Sequence, residues 1–175
     1  MGLFAVQIQC MLSNNDIFRR IRFIYDFSNK QMLDIFKAAD HTASFDEVLA
    51  WTKKDDAEGF KDMLDVELAV FLNGLINTNR GKKDGPATPP EEQLNNNIIL
   101  RKLRIALNHK DEDMISALAL AEMTVGKAEL SAFFRKPGHK HYRECKDQLL
   151  RNYLKGLAIK EMPEKMKNDN ATEAP

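Results

Sequence analysis

The sequence predicts an all-α protein of two tandem four-helix repeats, related by internal duplication and packed about a pseudo-twofold axis. Three observations carry this. "SNNDIFRRIRF" at 13–23 returns as "NNNIILRKLRI" at 95–105, and with a shift of 82 positions residues 12–75 align on 94–157 without a gap, 17 of 64 being identical. Apolar residues recur at helical spacing within each copy, between start signals that fall at matching offsets. A stretch rich in proline, glycine and polar residues, "NTNRGKKDGPATPPEEQ", separates the copies. Two copies are too few for a solenoid and predict a pair that shares one interface.

The elements follow in order. In the first copy Asn14 or Asn15 is the expected cap of a helix running to about Phe27, with Ile17, Phe18, Ile21, Ile24 and Tyr25 on one face. Ser28 with Gln31, and Ser44 with Glu47, have capping-box spacing and open a second helix to about Asp40 and a third to about Lys54. A fourth is expected from about Asp62 to Asn77. The second copy repeats the scheme, with Asp111 as the cap of its second helix and Pro137-Gly138 as the stop of its third. Gly74 and Gly156 fall inside the fourth helices, where glycine costs about 1 kcal/mol against alanine, so both predict a close helix approach. The resulting division is an extension over 1–11, expected to be poorly ordered, repeat 1 over 12–77, a linker over 78–93, repeat 2 over 94–160, and a disordered tail over 161–175 whose end has almost no apolar residues.

Composition bounds the function. The chain carries 26 Lys and Arg against 26 Asp and Glu, but the balance is local. Residues 12–77 hold 8 basic and 12 acidic side chains, net −4, whereas residues 94–160 hold 13 and 7, net +6. The densest basic stretch is "FFRKPGHKHYREC" at 133–145, where repeat 1 has "WTKKDDAEGFKDM". Arg135, Lys136, His139, Lys140, His141 and Arg143, interleaved with Tyr142 around a Pro-Gly turn, are the candidate phosphate contacts for DNA or RNA. The competing explanations are attraction between oppositely charged repeats and a merely solvated surface. In the first helix Phe23 and Phe27 point away from the main apolar face, between Arg19 and Arg20, and are the candidate contacts for another protein; packing between the copies is the more ordinary explanation of them.

Residues 114–136 also have the outline of a DNA-binding helix-turn-helix, with Met123, Val125, Leu130 and Phe133 at apolar positions. Thr124 stands where a turn glycine is usual and Leu120 where a small alanine is usual. The exposed face of its second helix would carry Lys127, Ser131, Arg135 and Lys136. Phosphate-loop, dinucleotide, nucleophile-elbow and zinc-protease motifs are all missing from the sequence. Two cysteines, Cys10 and Cys145, make no disulfide framework, and His141 with Cys145 at i, i+4 is too few ligands for a structural metal site. No apolar run approaches the roughly 18–20 residues that span a bilayer. The expectation is a cytoplasmic, non-enzymatic binding protein without cofactor or metal, taking nucleic acid through repeat 2 or, alternatively, another protein through an apolar helix face.

"NNDIFRRIRF", "FLNGLI", "RGKKDG", "NNIILRKLRIAL" and "LSAFFRKPGHKHYRECKDQLLRNYLKGL" together resemble the bacterial YehS-like family over roughly residues 11–160. The resemblance implies a cytoplasmic, all-helical, duplicated protein. It implies no activity and transfers no functional residue. Residues 1–10 depart from it.

Overall fold

The computed structural model describes residues 11–165, all of whose regular structure is helical. Residues 1–10 of the expected extension over 1–11, and the end of the expected tail, 166–175, lie outside the described residues. Repeat 1 comprises α1 (Asn14–Ile24), α2 (Asn29–Ala38), α3 (Phe45–Thr52) and α4 (Asp65–Arg80). Repeat 2 comprises α5 (Asn96–Ala106), α6 (Asp111–Leu120), α7 (Lys127–Ala132) and α8 (Asp147–Glu161). The duplication is therefore matched helix for helix.

The capping boxes read from Ser28–Gln31 and Ser44–Glu47 are formed, each serine oxygen accepting from the backbone N–H three residues on at 3.3 and 3.2 Å. The first cap is different from the one expected. Ser13, not Asn14 or Asn15, closes α1, accepting from Asp16 N–H at 3.1 Å, and Asn95 does the same for α5. Asp111 is the first helical residue of α6 rather than its cap, and pairs with Arg104 at 2.7 Å. Chain reversals repeat as well: Asp26 and Asp40 after α1 and α2, and Asn108 and Glu122 after α5 and α6, all have φ between 52° and 60°. Short polar side chains tolerate this left-handed region best, which suits three of these four positions.

Inside each repeat the longest helix packs on the second, α4 on α2 and α8 on α6. Both glycines sit at that crossing. A methyl group at Gly74 would stand 1.9 Å from the Ile35 carbonyl oxygen, and one at Gly156 would stand 1.7 Å from that of Ala117. No side chain fits there, and the close approach predicted for both copies is real. The core fillings differ. Repeat 1 stacks Phe18, Phe36, Trp51 and Phe71 with ring centroids 4.8–6.3 Å apart. Repeat 2 has Leu100, Leu118, Phe133 and Tyr153 at the same places, and the Tyr153 hydroxyl meets His109 Nδ1 at 2.8 Å. Burial, and then the Lys160 charge, push the His109 imidazole below its ordinary value.

The repeats join through α4 on α5 and, equivalently, α1 on α8. A closed hydrogen-bond circuit ties the N-terminal ends of these four helices around the pseudo-axis. Asp65 accepts from the Asn14 amide at 2.7 Å within its repeat and from the Leu94 N–H at 2.8 Å across the axis. Asp147 accepts from the Asn96 amide at 2.7 Å and from the Leu12 N–H at 3.1 Å. These contacts explain why Asn and Asp recur at those positions. Carboxylates at helix N-termini also complement the helix dipoles.

Two boundaries shift. Helix α4 runs to Arg80, past the expected end of repeat 1 at 77. The expected tail over 161–175 begins in ordered chain, because Glu161 completes α8 and Lys165 pairs with Asp26 at 3.1 Å.

Candidate nucleic-acid interface

The basic stretch forms the connection between α7 and α8, and a buried asparagine holds it. Asn97 donates to the carbonyls of Phe133 and Arg143 at 2.9 and 2.8 Å and accepts from Cys145 N–H at 2.9 Å. Asn15 does the same in repeat 1, donating to Trp51 and Lys61 and accepting from Met63 N–H at 2.9 Å. These two asparagines, read from sequence as cap candidates, are the staples of the long connections. Within the loop Arg143 N–H returns to the Ala132 carbonyl at 3.1 Å. The Pro137-Gly138 turn is closed by His139 N–H on Lys136 at 3.1 Å, with Gly138 at φ 87°. A turn with that φ favours glycine.

All six predicted contact residues are exposed on this one loop. Their surroundings separate them. Arg143 is paired with Glu129 at 3.0 Å, as its counterpart Lys61 is with Glu47 at 3.6 Å, so it belongs to the scaffold. His141 N–H donates to His139 Nδ1 at 3.1 Å, and the two rings lie 5.7 Å apart. Arg135, Lys136 and Lys140 have no carboxylate within ion-pair distance among the described residues.

From the sequence, a nucleic-acid interface would ideally bring Arg101 and Lys102 onto one exposed face with this cluster, and Arg101 is its most informative member. Its counterpart Arg19 lies between two carboxylates, Asp16 at 2.7 Å and Asp55 at 2.9 Å. Burial alone would raise the Asp16 carboxyl; the hydrogen bonds from Arg19 and Ser13 outweigh it and hold that group below its ordinary value. In repeat 2 those two carboxylate positions are Ile98 and Pro137. Arg101 keeps only the carbonyl contact, donating to Phe134 at 3.0 Å. It therefore stands beside the basic loop with no carboxylate within ion-pair distance among the described residues. The signal was present in the aligned copies, but it required knowing that residues 16 and 55 both touch residue 19. Lys102, its neighbour, does not join the face: it is buried, against Asn73 at 2.5 Å and Glu91 at 2.9 Å.

The helix-turn-helix outline meets an obstacle. Helix α7 has six residues and ends at Ala132, before the Pro-Gly turn expected to stop it, with Phe133 turned into the core. The Ala132 carbonyl, which would accept from Lys136 N–H in a longer helix, is held by Arg143 N–H at 3.1 Å, and Pro137 has no N–H to offer the Phe133 carbonyl. Arg135 and Lys136 consequently lie on the loop rather than on a helix face. Lys127 is paired with Glu112 at 2.5 Å, and Ser131 is half-buried.

The two candidate protein contacts are not brought together. Phe23 is 43% exposed, with the Lys165 ammonium 5.8 Å from its ring, whereas Phe27 is half-buried, stacked on Tyr25 and packed on the core. Cys145 is buried, its thiol pushed up to about 12 by desolvation first and by Asp147 next, while His141 is out in solvent. They form no nucleophile pair. Among the described residues no group of His, Cys, Asp and Glu is placed to hold a metal ion, and no helix is long and apolar enough to cross a membrane.

Comparison with known proteins returns the duplicated pattern. The family model "Protein of unknown function (DUF1456)" matches this chain twice, over residues 14–81 and 96–161. The chain is 42% identical over 152 residues to "Uncharacterized protein YehS" of Escherichia coli (strain K12), covering 86% of this chain and 97% of that protein. No solved structure matches.

Proposed function

The chain belongs to the DUF1456 family, whose description assigns no activity, and from that starting point we propose that it binds nucleic acid through the α7–α8 loop of repeat 2, by contacts to phosphate. The observation that carries this is the pair Arg19 and Arg101. One arginine is held between two carboxylates; in the other repeat both carboxylates are replaced, and Arg101 stands with Arg135, Lys136 and Lys140. Clustering cations without counter-charges costs self-repulsion, and the cost is offset when a polyanion binds. Contacts of this kind position a nucleic acid without reading its sequence.

Fluorescence anisotropy with labelled oligonucleotides over a salt series tests the reading. Four phosphate contacts to duplex DNA give a slope of log K against log salt of about −3.6, at about −0.9 per contact. The Arg101→Gln/Arg135→Gln/Lys136→Gln/Lys140→Gln variant is expected to lose most of the binding and most of the slope. No binding by the wild type at about 50 mM salt, where such contacts are strong, or an equal slope in the quadruple variant, refutes the proposal.

A further inference from the structure

We infer that the preferred ligand of this site is a single strand, with one unpaired base entering the cleft beside the loop and stacking on Tyr142. This rests on the phosphate-contact reading above and names the class of nucleic acid that the site takes.

The cleft has a volume of about 360 Å³ and is lined by Asn95, Asn96, Asn97, Tyr142, Glu144 and Cys145. That is the low end of the small-ligand range, in which a single planar ring is readily accommodated. Asn97 and Cys145 are buried and bonded to each other, so they form its fixed floor. Tyr142 is half-buried at the wall. Its ring has no aromatic or cationic partner among the described residues, and its hydroxyl makes no hydrogen bond there. Its backbone is held, with its N–H on the His139 carbonyl at 2.8 Å and the next residue tied to Ala132. A ring that lines a cleft without a ring partner, on a fixed backbone, is a stacking platform, and stacking tolerates any base because every base has a π-face. Asn95 is exposed, and its side-chain oxygen is occupied by Ile98 N–H, which leaves the amide N–H groups to donate to a base edge. The Glu144 carboxylate at the rim is paired with Lys146 at 2.5 Å, so it does not stand as an isolated negative charge.

The cations sit on the two segments that supply the cleft's lining, α5 and the α7–α8 loop. Arg101 is five residues beyond Asn96 on α5, roughly 8 Å along the axis. Its contact with Phe134 brings it to the start of the loop that carries Arg135 and Lys136. A duplex lacks both things the cleft needs, an unstacked base and a chain that can bend away from its partner. The helix that would read a duplex groove is also missing, since α7 spans only about 9 Å and its Lys127 is neutralised. Repeat 1 has Phe60 at the platform position, but Asp55, Asp56 and Glu58 flank it, which excludes phosphates there.

The test uses the full chain and a labelled mixed-sequence oligonucleotide, single-stranded and annealed to its complement, by anisotropy at low salt. The single strand is expected to bind about tenfold more tightly than the duplex. Tyr142→Leu is expected to weaken single-strand binding at least about fivefold, the low end of a lost stack, and to leave duplex binding unchanged. Tyr142→Phe keeps the ring and is expected to bind as the wild type does. Equal or tighter duplex binding by the wild type overturns the inference, and this arm needs no variant to fold. So does undiminished single-strand binding by Tyr142→Leu, or a loss in Tyr142→Phe as large as in Tyr142→Leu. In those three cases a salt slope on either ligand still supports the phosphate reading. Absence of binding to both ligands removes that reading and this one with it.

Discussion

Arg19 and Arg101 occupy one place in a scaffold that is built twice, and they live in opposite surroundings. Both donate to a carbonyl at the end of the third helix of their repeat, Lys53 at 2.5 Å and Phe134 at 3.0 Å. Only Arg19 has carboxylates. The same division runs through the surface: Phe45, Leu64 and Glu58 of repeat 1 face solvent where repeat 2 places Lys127, Lys146 and Lys140. The asparagine staples, the paired glycines and the aspartate circuit, by contrast, stayed the same in both repeats. A duplicated fold thus separates what holds the chain together from what has been altered on it. Wherever the copies agree in a buried polar residue or a mid-helix glycine, a shared contact explains it.

The glycine crossings give the largest expected effect. Gly74→Ala and Gly156→Ala each drive a methyl group into backbone. The expected loss is about 3 kcal/mol, the upper part of the overpacking range, after a gain of about 1 kcal/mol in helix propensity. Urea denaturation of both variants measures it. The comparison predicts similar losses in the two repeats; a neutral result at either glycine would show that its helix pair can move apart, and that the crossing is not fixed there.

The staples come next. Asn15→Ala leaves two carbonyls and one N–H without their partner, and Asn97→Ala does the same in repeat 2. Each is expected to cost about 2–3 kcal/mol, since an unsatisfied buried group costs about 1–3 kcal/mol and water can reach part of the loop. The consequence for function differs between repeats. Asn97→Ala should also loosen the basic loop, which amide hydrogen exchange at residues 133–145 would register as faster exchange; Asn15→Ala should leave those amides unchanged.

The fold was largely legible in the sequence, because gapless alignment of two copies reports shared contacts directly. Helix order, the capping serines at 28 and 44 and the glycine approach all came from local pattern. The staples were not legible. Asn15 and Asn97 lie beside the helix start, where an asparagine ordinarily caps, and only the fold shows Ser13 and Asn95 taking that role. The length of α7 was hidden for a related reason. Residues 133–136 have no helix breaker before Pro137, yet the Ala132 carbonyl that Lys136 N–H would need is taken by Arg143 N–H from the far end of the loop. The candidate loop was legible as a charge cluster, whereas the loss of Arg101's partners was legible only as a three-residue contact.

The circuit on the pseudo-axis gives a smaller, pH-dependent effect. Its Asp147 carboxyl is held below its ordinary value by the Asn96 hydrogen bond first and, against burial, by Leu12 N–H. A carboxyl depressed in the folded state contributes stability that is present above its unfolded value and is lost as the pH falls through its folded value. Wild-type stability should therefore drop on acidification below the ordinary aspartate range, beginning near pH 3.8. Asp147→Asn sets an amide N–H against donors, so it should be less stable at neutral pH and show a shallower acid loss. An unchanged acid profile in Asp147→Asn would mean that the circuit does not couple the repeats energetically.

Restoring repeat 1's carboxylates to repeat 2 gives the smallest effect on stability and the sharpest one on the comparison. Ile98→Asp with Pro137→Asp recreates around Arg101 the neighbours that Arg19 has in Asp16 and Asp55. Ile98 is half-buried and Pro137 is exposed, so neither change opens the core. Exposed and half-exposed ion pairs contribute about 0–1 kcal/mol, so the melting temperature should hardly move. Binding should respond, because Arg101 would now be neutralised within the protein and the loop would carry new negative charge. The salt slope for duplex DNA is expected to become shallower by about 0.9 or more, the value of one phosphate contact, with the affinity falling at every salt concentration. The reciprocal variant, Asp16→Ile with Asp55→Pro, frees Arg19 but leaves Asp56 and Glu58 on the adjoining loop, so it should gain no binding. If the first variant binds as the wild type does, Arg101 is a scaffold residue in both repeats and the difference between its surroundings has no part in recognition. If the second variant acquires binding, the carboxylates at 16 and 55 alone had kept repeat 1 from the ligand, and both repeats share the capacity that we assign to one.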